Sequence, residues 1–321
     1  MESPSYPTSE TTPVEQTYFG QGDQEMNTIN ASKLNLVKRY PIAAFFILAL
    51  ALGTGTIFLV IQGLLPSNMV LLSVLSASIA GIIMTGVEDG KAGLKLMLSR
   101  LLIWRVGIGY WLFAFLFIVP VIVFGSMFNP LFSGDPISFS KIESVLSIVL
   151  LFISFFIVAG LGQELGWTGF LMPRLQARYS ALVSCIIRAV LVAVWHLPVF
   201  IYSWLQPTAF TDLPYGGWIA QRGFLVAIVT ATLLFILPWS IFYTWIFNNT
   251  RGSLLLVAVL HGSEIWAAYW MLSTGINSNN LNNYWVFGAL MLLIAAIIVL
   301  VTGSQNLSRK DMRIVHQPMD G

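Results

Sequence analysis

Five ionisable side chains lie inside long apolar stretches of the sequence: Glu164, Arg188, His196, His261 and Glu264. A charged group at membrane depth costs about 2.5 to 3.5 kcal/mol on insertion scales, so each such residue calls for a partner, a water-filled cavity or a chemical role. Glu264 follows His261 by three positions, which places both side chains on one face of a helix. These five residues are therefore the candidates for function.

Two imidazoles and two carboxylates on three or four different helices can converge in a bundle core, where they allow several kinds of chemistry. They can ligate a divalent metal through neutral imidazole nitrogens and a carboxylate, with one position left for water. They can also activate water without metal, a carboxylate taking the proton while imidazoles bind the developing oxyanion. A proton relay in a transporter and purely structural hydrogen bonding are the other two interpretations.

Arg188 has two interpretations of its own. Its guanidinium can pair with Glu164, or its long stem can carry the charge to the membrane interface. Because Arg188 lies only about two turns into its apolar stretch, the sequence favours the interface.

The elements that hold these residues are predicted to be membrane helices. Of the 321 residues, 57% are hydrophobic and 9% are charged, whereas a soluble domain carries about 25% charged residues. Apolar runs of about 20 residues match a hydrocarbon core of about 30 Å, and helices satisfy their own backbone groups in lipid. We predict an all-α polytopic bundle with eight spans, at about Pro41–Leu65, Met69–Gly86, Val106–Phe124, Ser144–Gly162, Ala181–Trp204, Gly223–Phe247, Ser253–Ser273 and Tyr284–Gly303.

The distribution of Lys and Arg predicts that both termini are cytoplasmic. With the N-terminus inside, thirteen of the sixteen cations face the cytoplasm, and only Lys141 and Arg222 face outward. Residues 1–38 are polar and are predicted to be a disordered tail, residues 39–303 the bundle, and residues 304–321 a cytoplasmic tail.

Charge and cysteine content exclude other classes of protein. A net charge of +2 without a basic run argues against nucleic acid as a partner. A single cysteine, Cys185, excludes a disulfide framework and a cysteine-rich metal site. Membrane lipids are the partners that the composition predicts.

Three sequence motifs resemble those of a known family. The segment Gln163–Gln176, QELGWTGFLMPRLQ, resembles the first motif of the CAAX-protease and bacteriocin-processing (CPBP) family, whose Glu-Glu-x-x-x-Arg core often reads EELGWRGFLLPRLQ. Trp195–Pro198, WHLP, resembles the second motif. His261, preceded by the Gly-Ser-Leu of 252–254, resembles the third, a His followed four residues later by Asn. The resemblance covers about residues 91–273.

This resemblance implies an intramembrane metallo-endopeptidase that cleaves membrane-associated or prenylated, CAAX-type proteins. The family, also called type II CAAX proteases or Abi proteins, includes the Ras-converting endopeptidase as well as bacteriocin maturation and immunity proteins. Carried over by position, Glu164, His196 and His261 form the site and are the ligands of a divalent metal such as Zn²⁺ where one is bound. A protein or peptide substrate, prenylated in the CAAX case, is the expected partner.

Three positions depart from the family pattern. Gln163 stands where the first glutamate, the expected general base, is found, and an amide does not accept a proton at neutral pH. Thr168 replaces the arginine that in the family can pair with the second glutamate, and Ile265 replaces the asparagine of the third motif.

Two hypotheses follow from these departures. In the first, the site is rewired and the base is Glu264, beside His261, or Glu164, after a helix distortion that Gly160, Gly162 and Gly166 allow. In the second, the chain is a catalytically impaired pseudoprotease that acts as a membrane-binding or immunity-type module. A transport role is a third interpretation.

Overall fold

A computed structural model describes residues 36–127, 145–205, 224–273 and 281–310. The chain divides into two units after Ala44, and every candidate site residue belongs to the second. The predicted disordered tail lies outside the described residues as far as residue 35, and residues 36–39 form a helical turn. Lys141 and Arg222 also lie outside the described residues, so the orientation stays a prediction.

The described residues contain helices and turns without a strand, which confirms the all-α class. The α-helices are α1 Pro41–Ile61, α2 Ser76–Ser99, α3 Ile108–Leu116, α4 Ile118–Ser126, α5 Val145–Phe155, α6 Gly162–Glu164, α7 Met172–Gln176, α8 Ala181–Leu205, α9 Phe224–Ala231, α10 Leu237–Asn249, α11 Leu254–Ser273 and α12 Leu281–Thr302. Short 3₁₀ helices cover Ser67–Leu75 and Arg100–Leu102, and wider π-helical turns cover Phe156–Leu161, Leu165–Leu171 and Thr232–Ile236.

Six helical stretches in the described part of the chain are long and apolar enough to cross a membrane, and a seventh is a bent pair. The chain is a multi-pass integral membrane protein with a polytopic helical bundle. The bend of 44° separates Ile108–Leu116 from Ile118–Gly125, where Pro120 lacks an N–H and its ring clashes with the carbonyl of Leu116. The seventh predicted span is helical as α11, but its apolar part, Leu254–Ala267, is short.

The C-terminal ends of two predicted spans were placed too early in the sequence. The second predicted span ended at Gly86, whereas α2 continues to Ser99 across a kink at Gly90, whose φ of 63° suits glycine. The fourth ended at Gly162, whereas the helical stretch continues to Gln176 through two π turns. Charged and polar residues mark the end of an apolar run, but they do not end a helix whose neighbours bury its backbone.

The stretch from Val145 to Gln176, which we call the central helix, packs backbone to backbone against two neighbours. A methyl group on Gly166 would lie 2.1 Å from the carbonyl oxygen of Ala77 in α2. A methyl group on Gly160 would lie 2.3 Å from the carbonyl oxygen of Ala258 in α11. Small residues permit such close approach between membrane helices, so these glycines set how near the central helix lies to α2 and to α11, the helix that carries His261 and Glu264.

The first part of the predicted C-terminal tail is packed against the bundle. The carbonyl oxygens of Ser304 and Gln305 accept hydrogen bonds from the N–H groups of Leu182 and Ala181, at 3.0 and 2.8 Å. Leu307 is fully buried, and its carbonyl oxygen accepts a hydrogen bond from Asn249 at 2.8 Å. This segment therefore satisfies the free N–H groups at the start of α8, the helix that carries Arg188 and His196.

Candidate active site

Glu164, His196, His261 and Glu264 line one cavity of about 80 Å³. Glu164 comes from α6, between two π turns of the central helix, His196 from α8, and His261 and Glu264 from α11. The wall also contains polar and aromatic side chains from α8, from α10 and from the turn before it, among them Arg188, Phe200, Phe235, Trp239, Ser240 and Tyr243. The structure thus brings all four candidate residues together, while their catalytic roles stay predictions.

The Glu164 carboxylate accepts hydrogen bonds from three side chains around this cavity. Its side chain is 1% exposed, and its two carboxylate oxygens accept from Nη2 of Arg188 at 2.9 and 3.0 Å. Oε1 also accepts from Nδ1 of His261 at 2.8 Å, and Oε2 accepts from the hydroxyl of Thr168. We call Glu164, Thr168, Arg188 and His261 the Glu164 cluster. A buried carboxylate needs this many donors because water does not reach it.

The prediction that Arg188 extends to the membrane interface is wrong. Its side chain is 3% exposed and forms an ion pair with Glu164. Its Cζ also lies 4.8 Å from the centre of the Tyr243 ring, a cation–π distance. Glu164 and Tyr243 offset the cost of burying the charge of Arg188 at membrane depth. The guanidinium is therefore stabilised within the bundle and not at the interface.

Arg188 also replaces the arginine that the first motif lacks. At position 168 a family arginine would lie one turn beyond Glu164 on the same helix, and here Thr168 occupies that place and donates a hydrogen bond to the carboxylate. The positive charge comes instead from Arg188 in α8. The departure at Thr168 is therefore compensated within the Glu164 cluster.

His261 is held in one orientation and one tautomer. Its Nδ1 faces a carboxylate oxygen of Glu164, so in the neutral ring Nδ1 carries the proton and Nε2 carries the lone pair. The ring stacks on Tyr243, with centroids 5.2 Å apart and an angle of 24°. The Tyr243 hydroxyl donates to Oε2 of Glu264. A carboxylate, an oriented imidazole and a second carboxylate thus follow one another along the cavity wall.

His196 lines the same cavity with different contacts. Its Nδ1 lies 2.8 Å from the carbonyl oxygen of Val192 in its own helix, so this imidazole also keeps its lone pair on Nε2 when it is neutral. Its ring stacks on Phe200 at 5.7 Å. Among the described residues, His196 takes no part in the hydrogen bonds of the Glu164 cluster.

The arrangement of these residues does not fit the predicted metal ligand set of His196, His261 and Glu164. Both oxygens of Glu164 already accept hydrogen bonds, and the proton on Nδ1 of His261 is directed at one of them. No group of three His, Cys, Asp or Glu side chains is placed to hold a metal ion in the described ranges. Binding of Zn²⁺ by this chain stays a prediction.

The other two departures from the motif face the cavity. Gln163, which is 8% exposed, and Ile265 both line it. The helix distortion that Glu164 requires is present, because π turns at Phe156–Leu161 and Leu165–Leu171 flank it on both sides. Wider turns rotate the side chains that follow them, and such turns are frequent at functional sites.

Sequence reasoning missed Tyr243 and the role of Arg188. Tyr243 lies in an apolar span where a tyrosine carries no motif, and only the fold places its ring against His261. For Arg188 the sequence contained an indication. The first motif lacks its arginine at position 168, and the next apolar span contains an arginine, Arg188, without an assigned partner. The two observations belong together once the helices are adjacent.

The region that contains the site is similar to known proteins. Residues 145–268 match the family model described as Type II CAAX prenyl endopeptidase Rce1-like. The "CAAX prenyl protease 2" of Methanococcus maripaludis is 29% identical over 138 residues, which cover 43% of this chain. The match spans 44% of that relative's length, less than half of it. All the candidate site residues fall within the region that the family model matches.

Proposed function

We propose that this membrane protein is an intramembrane endopeptidase, because residues 145–268 match a family model of type II CAAX prenyl endopeptidases. Its substrate would be a membrane-associated protein or peptide, with a prenylated C-terminal segment as the first candidate. The observation that carries the proposal is the pairing of His261 with Glu164 in a buried cavity, at 2.8 Å.

His261 is proposed as the general base. A carboxylate that accepts from Nδ1 leaves Nε2 free to accept a proton, and it stabilises the imidazolium that results. Nε2 takes a proton from water while the water oxygen bonds to the carbonyl carbon of the substrate. The imidazolium then returns that proton to the nitrogen of the leaving amine as the C–N bond breaks. No step needs a carboxylate at position 163.

Glu264 is proposed as the second proton acceptor of the cavity. One of its oxygens accepts from the Tyr243 hydroxyl, and it follows His261 on the same helix. A carboxylate in this place can take the proton from water itself or accept it from His261. His196 is proposed to bind the water or the substrate amide through Nε2.

A peptide-cleavage assay in liposomes tests the proposal, with the parent, His261→Ala, Glu264→Gln and Gln163→Glu. We expect the parent to cleave, His261→Ala to lose about 10²- to 10⁴-fold in rate, as is usual for a general base, and Glu264→Gln to lose less. His316→Ala, a histidine change outside the described residues, is the matched control and should leave the rate unchanged.

Other outcomes of this assay identify the alternatives. An inactive parent that gains cleavage in Gln163→Glu would establish the pseudoprotease interpretation. A solute or proton flux into vesicles that survives His261→Ala would point to transport.

A further inference from the structure

The guanidinium of Arg188 has donors that the Glu164 ion pair does not use. Nη2 makes both contacts to the carboxylate. In the described part of the chain, Nε and Nη1 are buried and have no hydrogen-bond acceptor. These two nitrogens carry three N–H groups, and a buried donor without an acceptor is destabilising. Arg188 lines the cavity that holds both histidines.

Arg188 is the only lysine or arginine among the described residues that line the cavity, and other lining donors, such as the Gln163 amide and the Ser240 hydroxyl, are uncharged. His196 and His261 each direct Nδ1 at an oxygen, so each neutral ring has a lone pair on Nε2. Glu264 is an acceptor, and both oxygens of Glu164 are occupied. Peptide hydrolysis places a negative charge on the carbonyl oxygen of the substrate, and that oxygen requires donors that are already in position. Neutral imidazoles with this tautomer do not supply them.

We propose that Nε and Nη1 of Arg188 form the oxyanion subsite of this chain, which binds the carbonyl oxygen of the scissile peptide bond. This inference rests on the proposed endopeptidase function. The ion pair with Glu164 and the Tyr243 ring, 4.8 Å from Cζ, hold the guanidinium in place before substrate arrives. Trp167, in the same cavity wall, has a buried Nε1–H that is likewise without an acceptor among the described residues.

The subsite acts at the step that forms the tetrahedral intermediate. As the water oxygen bonds to the carbonyl carbon and His261 takes the water proton, the π electrons of the C=O bond move to its oxygen. The N–H groups of Arg188 bind that negative oxygen. When the electrons return to re-form C=O, the C–N bond breaks and the amine nitrogen takes the proton from His261. The products are a carboxylic acid and an amine, and no other reactant is needed.

The test separates the donors of Arg188 from its charge. Arg188→Lys keeps a cation for Glu164 but removes Nε and Nη1. Kinetics of peptide cleavage are measured together with the binding of two ligands in detergent: a peptide phosphonate, which carries a tetrahedral anion, and the matched uncleaved peptide. Thermal unfolding of each variant shows that it is folded. Arg178→Lys, the same substitution at an exposed arginine that does not line the cavity, is the control.

In Arg188→Lys we expect kcat to fall about 10²- to 10³-fold, as for loss of an oxyanion donor, with little change in KM. The phosphonate should lose affinity by a similar factor, while the uncleaved peptide should bind as before. A folded Arg188→Lys protein that cleaves at the parental rate, or that keeps the parental preference for phosphonate, would overturn the inference and leave the proposed function standing. A parent that never cleaves but binds phosphonate through Arg188 would refute the function and retain the anion subsite.

Discussion

The central helix takes part in two arginine–carboxylate clusters that have similar contacts and different surroundings. At one end, Arg174 forms ion pairs of 2.6 Å with Glu88 and Asp89 of α2, which we call the rim cluster. Earlier in the same stretch, before the π segment Leu165–Leu171, Glu164 pairs with Arg188 of α8 at 2.9 Å. The carboxylate side chains of the rim cluster are 25% and 44% exposed, whereas that of Glu164 is 1% exposed.

This difference in exposure decides what each cluster can do. Water and ions screen a partly exposed ion pair, which contributes about 0 to 1 kcal/mol. In a buried pair, removal of one partner leaves an uncompensated charge, at a cost of about 3 to 5 kcal/mol. The shorter distances of the rim cluster therefore do not make it the stronger contributor. The Glu164 cluster is the one that can orient an imidazole away from bulk water.

The largest effect is expected from Glu164→Gln. The amide leaves Arg188 without a counter-charge and no longer fixes the tautomer of His261, so we expect a loss of about 3 to 5 kcal/mol in the free energy of unfolding, together with loss of cleavage. Denaturation in detergent and the peptide assay measure both quantities. Glu88→Gln makes the same chemical change in the rim cluster and should cost at most about 1 kcal/mol. Equal losses in the two variants would mean that burial does not make the Glu164 cluster more important for stability than the rim cluster.

Moving the arginine from position 188 to position 168 tests whether Arg188 compensates for the arginine that the first motif lacks. Arg188→Leu should destabilise the protein by about 3 to 5 kcal/mol, since Glu164 is then buried with hydrogen bonds alone. Adding Thr168→Arg, which restores the arginine of the first motif, should recover about 0.5 to 3 kcal/mol of that loss, the range of coupling between residues in contact. The measurement is a double-mutant cycle of unfolding free energies. Strict additivity of the two changes would contradict the compensation.

Disrupting the backbone contact at Gly166, which lies between the two clusters, should have an intermediate effect on stability. In Gly166→Ala the new methyl group would lie 2.1 Å from the Ala77 carbonyl oxygen, so the central helix and α2 must separate. Such overpacking costs about 1 to 3 kcal/mol. Gly55→Ala in α1 is the matched control, because a methyl group there meets no atom of the described structure within 4 Å. A melting temperature for Gly166→Ala equal to that of the control would refute this packing.

The smallest effect on stability is expected from a change in ionic strength. Raising ionic strength should weaken the rim cluster and leave the Glu164 cluster unchanged, because ions screen exposed charges much more than buried ones. The stability difference between the parent and Glu88→Gln should therefore shrink in high salt, and the difference between the parent and Glu164→Gln should persist. Unfolding curves at two salt concentrations measure both. A salt-dependent Glu164 effect would mean that water reaches the carboxylate.

Much of the site was predictable because its chemistry is rare in this sequence. A chain with few ionisable groups in its apolar spans has few residues for a polar cavity, and the motifs identified Glu164, His196 and His261 among them. Pairing was harder to predict. Periodicity places Glu264 beside His261 on one helix, but the partner of Glu164 depends on which helix lies next to it, so Arg188 was assigned to the interface when it is 3% exposed in the bundle.

The sequence by itself determined the membrane class, the helical architecture and the residues available for chemistry, because composition and the length of apolar runs act along the chain. The tertiary structure decided which groups touch. Gly160 allows the central helix to lie close to α11, and the packing of the bundle brings Arg188 of α8 and His261 of α11 onto one carboxylate. A cation missing from one helix can be supplied by another, since an ion pair requires proximity in space and no particular separation along the chain.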